Sequence, residues 1–184
     1  MHRMLRCIPH SQGRRGCQGR RTRRRAEAVG TVACEQEIAS WRAGVALRDE
    51  RLLLVHPDVA RLERLCAALL SVPDAWRHLA LGRELSAVLR NEAPATRPSL
   101  VQSWLAQRLA ELAPGPVLCT GIDLLFEPAL RLDPLRLLRQ TGRATPLAIA
   151  WPGTFANGAL SYAVPAHAHY RTWRDPVARV VVLS

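Results

Sequence analysis

The chain contains no lysine, because all 26 of its basic residues are arginine. This absence excludes a lysine Schiff base, a lysine general base and the lysine that binds phosphates in nucleotide-binding loops. The apolar runs, such as those at 52–55 and 180–183, are far shorter than the roughly 20 residues that a membrane-spanning helix requires. No apolar stretch follows the first arginines either, so the sequence predicts neither a signal peptide nor a membrane contact.

Metal-binding patterns are also missing. The cysteines are odd in number and none are spaced C-x-x-C: Cys7, Cys17, Cys34, Cys66 and Cys119. We therefore predict free thiols in a reducing cytoplasm, with neither a disulfide framework nor a zinc site. His167 and His169 would hold a metal only from one face of a strand, and no third ligand accompanies them. A structural loop is the simpler interpretation of this pair.

The net charge of +11 is unevenly distributed. Residues 1–25 contain nine arginines and no acid, whereas residues 26–184 contain 17 arginines and 15 acids. We predict a disordered arginine-rich arm over residues 1–30 and a single domain over residues 31–184. The arm has four open interpretations: an inert tail, a start codon assigned too early, an organelle-targeting peptide, or a segment that binds nucleic-acid phosphates.

From about residue 33, short apolar runs alternate with amphipathic segments. The runs predict strands at 52–55, 76–81, 117–123, 147–151 and 177–183, with a short extra strand at 159–163. The segments predict helices at 59–70, 83–90, 99–112 and 133–142, capped by Ser99 and Asp133 in the last two, and an earlier helix ending near Asp49. This alternation predicts an α/β fold with a mostly parallel sheet flanked by helices. Ligands of such sheets bind beyond the carboxyl ends of the strands, here residues 56–63, 119–127 and 151–158.

The first strand, turn and helix stand where a phosphate-binding P-loop would lie. Aligned without gaps, His56 and Arg61 occupy its two glycine positions, Leu62 its lysine and Glu63 its serine or threonine. Asp58 or Glu63 near the start of the helix would repel a triphosphate. We therefore interpret this segment as a degenerate nucleotide-binding position, comprising His56, Pro57, Asp58, Arg61, Leu62 and Glu63.

Four stretches carry a resemblance to a known family: GRELS at 82–86, IDLLFEPALRLDPLRLLRQTGR at 122–143, AIAWPG at 148–153 and LSYAVPAHAHY at 160–170. From about residue 52 onward, the chain resembles the BrxF family, small P-loop proteins of type 3 BREX (bacteriophage exclusion) systems. The resemblance implies a three-layer, AAA-like P-loop NTPase fold and a role in prokaryotic phage defence.

The chain departs from the family's pattern where chemistry would occur. Segment 56–63 replaces the family's glycine-rich loop and its Lys-Thr pair. Thr120 and Gly121 replace the acidic residue and asparagine at the end of the family's next motif, and Asp123 is the nearest acid. Pro152 replaces a polar residue that follows the family's tryptophan. We expect a pseudo-ATPase with no catalytic residue and no cofactor, acting through protein or DNA contacts.

Two alternatives stay open at this point. One is a divergent ATPase that binds ATP and magnesium, completed across a subunit interface by Arg143, which matches a family position at a helix end. The other is a nucleic-acid-binding module that uses the arm and a basic ridge of Arg136, Arg139 and Arg143 on one helix, although a solvated face is simpler. The expected partners are other defence-system proteins, DNA or a second copy of the chain.

Overall fold

A computed structural model describes residues 34–44 and 51–183. The predicted arm at 1–30 lies outside these residues, as does the predicted continuation of the first helix to Asp49. Residues 34–44 form the first helix, α1. Within the described ranges, no helix combines the length and the apolar character needed to cross a bilayer.

Five parallel strands form the central sheet in the order β2-β3-β4-β1-β8. Their bounds are β1 (Leu52–His56), β2 (Arg77–Ala80), β3 (Val117–Thr120), β4 (Leu147–Pro152) and β8 (Arg179–Val182). Strand β1 lies between β4 and β8, so that Leu54 is beside Ala150 on one side and Val181 on the other. The predicted mostly parallel sheet is therefore confirmed.

Helices cover both faces of this sheet, as predicted. They are α2 (Val59–Leu70), α3 (Leu81–Leu89), α4 (Arg97–Glu111) and α5 (Pro134–Gln140), in addition to α1. Side chains alternate along β1, because successive residues of a strand point to opposite faces. Leu52 and Leu54 pack with α1 and α2, whereas Leu53 and Val55 pack with α3, α4 and α5. This two-sided burial explains why β1 is a continuous apolar run.

The N-cap predicted at Ser99 is wrong, whereas that at Asp133 is confirmed. Helix α4 begins earlier, at Arg97, because Pro98 is tolerated in a first turn, where its missing N–H breaks no helical hydrogen bond. The Ser99 hydroxyl instead donates back to the carbonyl of Thr96, at 3.0 Å. In α5, the Asp133 carboxylate accepts from the N–H of Arg136 at 3.0 Å, as an N-cap should.

Helix α5 ends at Gln140, short of the predicted Gly142. Gly142 adopts a left-handed φ of +59°, a conformation that ends helices, and a Cβ there would lie 2.7 Å from Leu109 Cδ1. The predicted ridge of three arginines on one helix is therefore wrong. Arg136 and Arg139 lie on α5, but Arg143 lies in the turn that follows it.

A three-stranded antiparallel sheet is inserted between β4 and β8. It consists of β5 (Phe155–Ala156), β6 (Ala159–Tyr162) and β7 (Arg171–Arg174), of which the sequence predicted only β6. Four aromatic rings join this sheet to the main core: Phe126, Trp151, Tyr162 and Trp173. The rings of Phe126 and Tyr162 stack with centroids 3.4 Å apart, and the Trp151 and Trp173 rings meet edge to face at 5.3 Å.

A buried arginine, Arg51, connects the start of β1 to the end of α5. Only 2% of Arg51 is exposed to solvent. The guanidinium donates to the carbonyls of Leu138, Thr141 and Thr145 at 3.1, 2.6 and 2.9 Å. The last carbonyls of a helix have no partner within the helix, so Arg51 supplies the donors that α5 requires in a buried position.

We expect Arg51→Met to lower the free energy of unfolding by about 2–4 kcal/mol, because it leaves buried carbonyls without donors. Urea unfolding followed by circular dichroism measures this loss. The matched control, Arg64→Met on the exposed face of α2, should cost less than about 0.5 kcal/mol. Equal losses in the two variants would show that the Arg51 contacts contribute nothing.

Candidate functional site

The connection between β1 and α2 is short and hydrogen-bonded to itself. Only Pro57 and Asp58 separate the last residue of β1, His56, from the first residue of α2. Nδ1 of His56, a residue 9% exposed, accepts from the backbone N–H of Asp58 at 2.9 Å. The Asp58 carboxylate in turn accepts from the N–H of Arg61 at 3.1 Å. Two of the donors at the start of α2, the N–H groups of Asp58 and Arg61, are thus occupied by the chain's own side chains.

This connection differs physically from a phosphate-binding loop. Such a loop uses a run of backbone N–H groups, exposed by glycines, to surround phosphates at a helix N-terminus. Here the three residues aligned with the end of a P-loop, Arg61, Leu62 and Glu63, already lie within α2. Leu62, which is aligned with the lysine of such a loop, is 4% exposed and packs in the core. The P-loop lysine instead has to reach the phosphates.

A crevice of about 310 Å³ opens beside α2 at the carboxyl ends of β2, β3 and β4. Its buried lining is apolar and includes Leu62, Cys66, Ile122 and Ala150. Its polar side chains, Glu63, His78, Thr120 and Asp123, lie in the more exposed part of the lining, together with the apolar Val59 and Ala67. Each of the three segments predicted to hold a ligand, 56–63, 119–127 and 151–158, contributes residues to its lining.

The structure does not bring the predicted nucleotide-site residues together in one cavity. The crevice brings together Glu63, Thr120, Gly121 and Asp123, together with Leu62 and Pro152. His56, Pro57 and Asp58 do not line it. Arg61 lines a second cavity of about 270 Å³, between α1 and α2.

Gly121 determines how the chain leaves β3. The strand ends at Thr120 rather than at the predicted Asp123, because Gly121 has a left-handed φ of +68° and the 3-10 helix Ile122–Phe126 follows. Gly82, at the start of α3, packs directly on this turn, and a Cβ on Gly82 would lie 2.6 Å from the Gly121 carbonyl oxygen. The close contact holds Thr120 and Asp123 at the crevice.

Tyr162 is a site residue that the sequence did not identify. Its hydroxyl donates to Oδ1 of Asp123 at 2.8 Å, while its ring stacks on Phe126. Burial, followed by the bond to Asp123, raises the pKa of Tyr162 well above its usual range, so the hydroxyl remains a donor. The inserted sheet therefore holds the Asp123 carboxylate at the crevice.

His78 was also missed. Its Nε2 lies 2.9 Å from the Thr120 hydroxyl, with which it forms a hydrogen bond across β2 and β3. Burial, and secondarily the charge of Arg83, lowers the pKa of His78. The only signal in the sequence was its position within the second predicted strand, which does not show which neighbour it meets.

The electrostatics of the crevice disfavour a polyphosphate. Glu63 and Asp123 contribute carboxylates, and none of the described residues that line the crevice is an arginine. Burial and the charge of Glu63 raise the pKa of the Cys66 thiol to about 11, so this cysteine is neutral at physiological pH. An apolar group or a cation fits this lining better than a triphosphate does.

The remaining candidates lie elsewhere. Arg143 lies in the turn that precedes β4, at the amino ends of the parallel strands, whereas the crevice lies at their carboxyl ends. It therefore cannot contact the crevice of its own chain.

His167 and His169 lie in the turn between β6 and β7 rather than on a strand, with ring centroids 5.4 Å apart. In the described ranges, no group of three or more metal-ligating side chains was found.

Comparisons of the chain with models of protein families, with curated proteins and with solved structures found no match.

Two substitutions of Tyr162 separate its hydrogen bond from its ring packing. We expect Tyr162→Phe to lower the free energy of unfolding by about 1 kcal/mol, since it removes only the donor to Asp123. Tyr162→Ala should cost about 3–5 kcal/mol, since it also removes the ring that packs on Phe126. Chemical denaturation measures both values, and a phenylalanine variant as unstable as the alanine variant would contradict this division.

Proposed function

We propose that this protein is a non-catalytic, P-loop-like α/β subunit of a prokaryotic phage-defence assembly, in which it acts by contact with other proteins. The defence role rests on the resemblance of four sequence stretches to the BrxF family. The proposed P-loop-like class is supported by the resemblance and by a parallel sheet with helices on both faces.

The self-capped connection between β1 and α2 is the observation that carries the non-catalytic part of the proposal. A triphosphate would have to displace the bond from Asp58 N–H to His56 and the bond from Arg61 N–H to Asp58. Each such bond contributes about 1 kcal/mol. The phosphates would then lie beside the Asp58 carboxylate with no lysine to neutralise them, and Arg61 is the nearest cation on this part of the helix.

The stretches that carry the resemblance meet around the crevice. GRELS contains Gly82, which packs on Gly121, and the stretch at 122–143 begins with Ile122 and Asp123. AIAWPG contributes Ala150 and Pro152, and the last stretch contributes Tyr162, which bonds Asp123. The shared features thus support a role in building the crevice, without supplying a phosphate-binding loop.

One observation favours the alternative of a divergent ATPase. Asp123 is an acid at the carboxyl edge of β3, close to where such an enzyme would organise magnesium. Its bond from Tyr162 and its distance along the chain from the end of β3 distinguish it from the family's acid. A divergent ATPase requires bound ATP and the charge of Asp123, whereas a non-catalytic subunit requires neither.

We expect the purified full chain to show no saturable heat with ATP and magnesium in titration calorimetry, and no rise in its melting temperature. Ligand at 100 times its Kd adds about 2.7 kcal/mol of stability, so a site with a Kd of about 10 µM would be evident at about 1 mM ATP. Saturable binding that Asp123→Ala abolishes, with release of phosphate, would support the ATPase instead.

In a host that carries the complete defence system, we expect deletion of this protein to reduce protection in a phage-plating assay. Asp123→Asn should restore protection as fully as the wild type, since it keeps an oxygen that accepts from Tyr162 and removes only the charge. The control Gly82→Val, which forces α3 away from Gly121, should fail to restore it. Loss of protection in a stably folded Asp123→Asn variant would contradict the non-catalytic role, and unchanged protection on deletion would contradict the defence role.

A further inference from the structure

The positive charge of the described chain is concentrated in one segment. Residues 128–174 contain six arginines and one acid, Asp133, which gives a net charge of +5. The other described residues contain ten arginines and eleven acids, which gives −1. This concentration is independent of the arginine-rich arm at 1–30. It includes α5, the turn before it and the inserted sheet.

Two of these arginines share a cavity of about 410 Å³ beside α4 and α5. The cavity is lined mainly by polar side chains, including Arg131, Arg136, Gln102 and Gln140. Nε of Arg136 donates to the side-chain oxygen of Gln140 at 3.3 Å, which orients its guanidinium. Neither Arg139 nor Arg143, the other members of the ridge that the sequence predicted, lines this cavity.

A third arginine reaches the same place from the inserted sheet. Arg171, on β7, donates through one terminal nitrogen to the carbonyl of Leu132 at 2.9 Å, and Leu132 itself lines the cavity. The neighbouring Trp173 donates to Asp133 at 3.3 Å, so two contacts hold β7 against the start of α5. The three guanidiniums thus come from separate elements that tertiary contacts bring together.

The described residues place little negative charge beside these arginines. Asp133 is the only acid that lines the cavity, and its Oδ1 accepts from the N–H of Arg136 and from Trp173. Among the described residues, no carboxylate lies within salt-bridge distance of the guanidiniums of Arg131, Arg136 or Arg171. Guanidinium groups in this state pair well with phosphate, because their planar donors match two phosphate oxygens.

We propose that Arg131, Arg136 and Arg171 form a surface that binds the phosphodiester backbone of DNA. The spread of the three arginines over two elements and a turn suits successive phosphates of a chain better than one compact anion. Contacts to phosphates carry no information about the base sequence, so a surface that contacts only the phosphodiester backbone binds DNA without sequence preference.

The test compares two double variants of the full chain that remove equal charge. Arg131→Gln with Arg136→Gln changes the surface, and Arg64→Gln with Arg90→Gln changes exposed arginines on α2 and after α3. Fluorescence anisotropy measures the affinity for a labelled duplex across a salt series, and circular dichroism verifies folding. Since neither pair alters residues 1–30, any contribution of the arm is the same in both.

We expect the surface pair to reduce the slope of log affinity against log salt by about 2, and to weaken binding about tenfold or more at about 0.1 M salt. The control pair should retain the slope and affinity of the wild type. Equal effects of the two pairs would overturn the proposal. So would tight binding of pyrophosphate, lost in the surface pair, with DNA affinity unchanged, since this would identify a site for small phosphates. Binding of an acidic peptide that is lost in the surface pair, with DNA affinity unchanged, would likewise overturn it, in favour of a protein partner.

Discussion

Strand β1 is the constraint on which the rest of this protein depends. Both of its faces are buried, and its two edges are paired in parallel with β4 and β8, so it can neither shift in register nor tilt without disturbing both layers of helices. Polar side chains hold helices at its two ends. Arg51 binds the final carbonyls of α5 at the amino end, and His56 binds the start of α2 at the carboxyl end.

The two proposed activities follow from this arrangement. At the carboxyl edge, a tight turn occupies two backbone donors, the N–H groups of Asp58 and Arg61, and an apolar crevice bordered by Glu63 and Asp123 lies beside it. Around α5, arginines that form no salt bridge with the described residues lie beside the inserted sheet. The protein therefore disfavours phosphate where a nucleotide would bind in a P-loop protein, and offers donors to phosphate on a different surface.

Local sequence was sufficient for most of the sheet and its helices. The continuous apolar run at Leu52–Val55, the periodicity of Val59–Leu70 and the Asp133-Pro134 pair each contain their structural signal within a few residues. The prediction was wrong at Ser99 and at the end of α5. In both places backbone geometry decided the boundary, at Pro98 in the first turn of α4 and at the extended Thr141 followed by Gly142 after α5, and a count of apolar residues does not register it.

By itself, the sequence determined that the first turn lacks the lysine and the glycines of a phosphate-binding loop, because these are matters of composition. It also determined the class of the fold, because hydrophobic periodicity is local. Only the tertiary structure decided that Tyr162 bonds Asp123, that His78 meets Thr120, and that Arg171 joins Arg131 and Arg136. These partners lie up to 42 residues apart in sequence. The pairing of β2 with β3 and the packing of the inserted sheet and of α5, rather than any local pattern, bring them together.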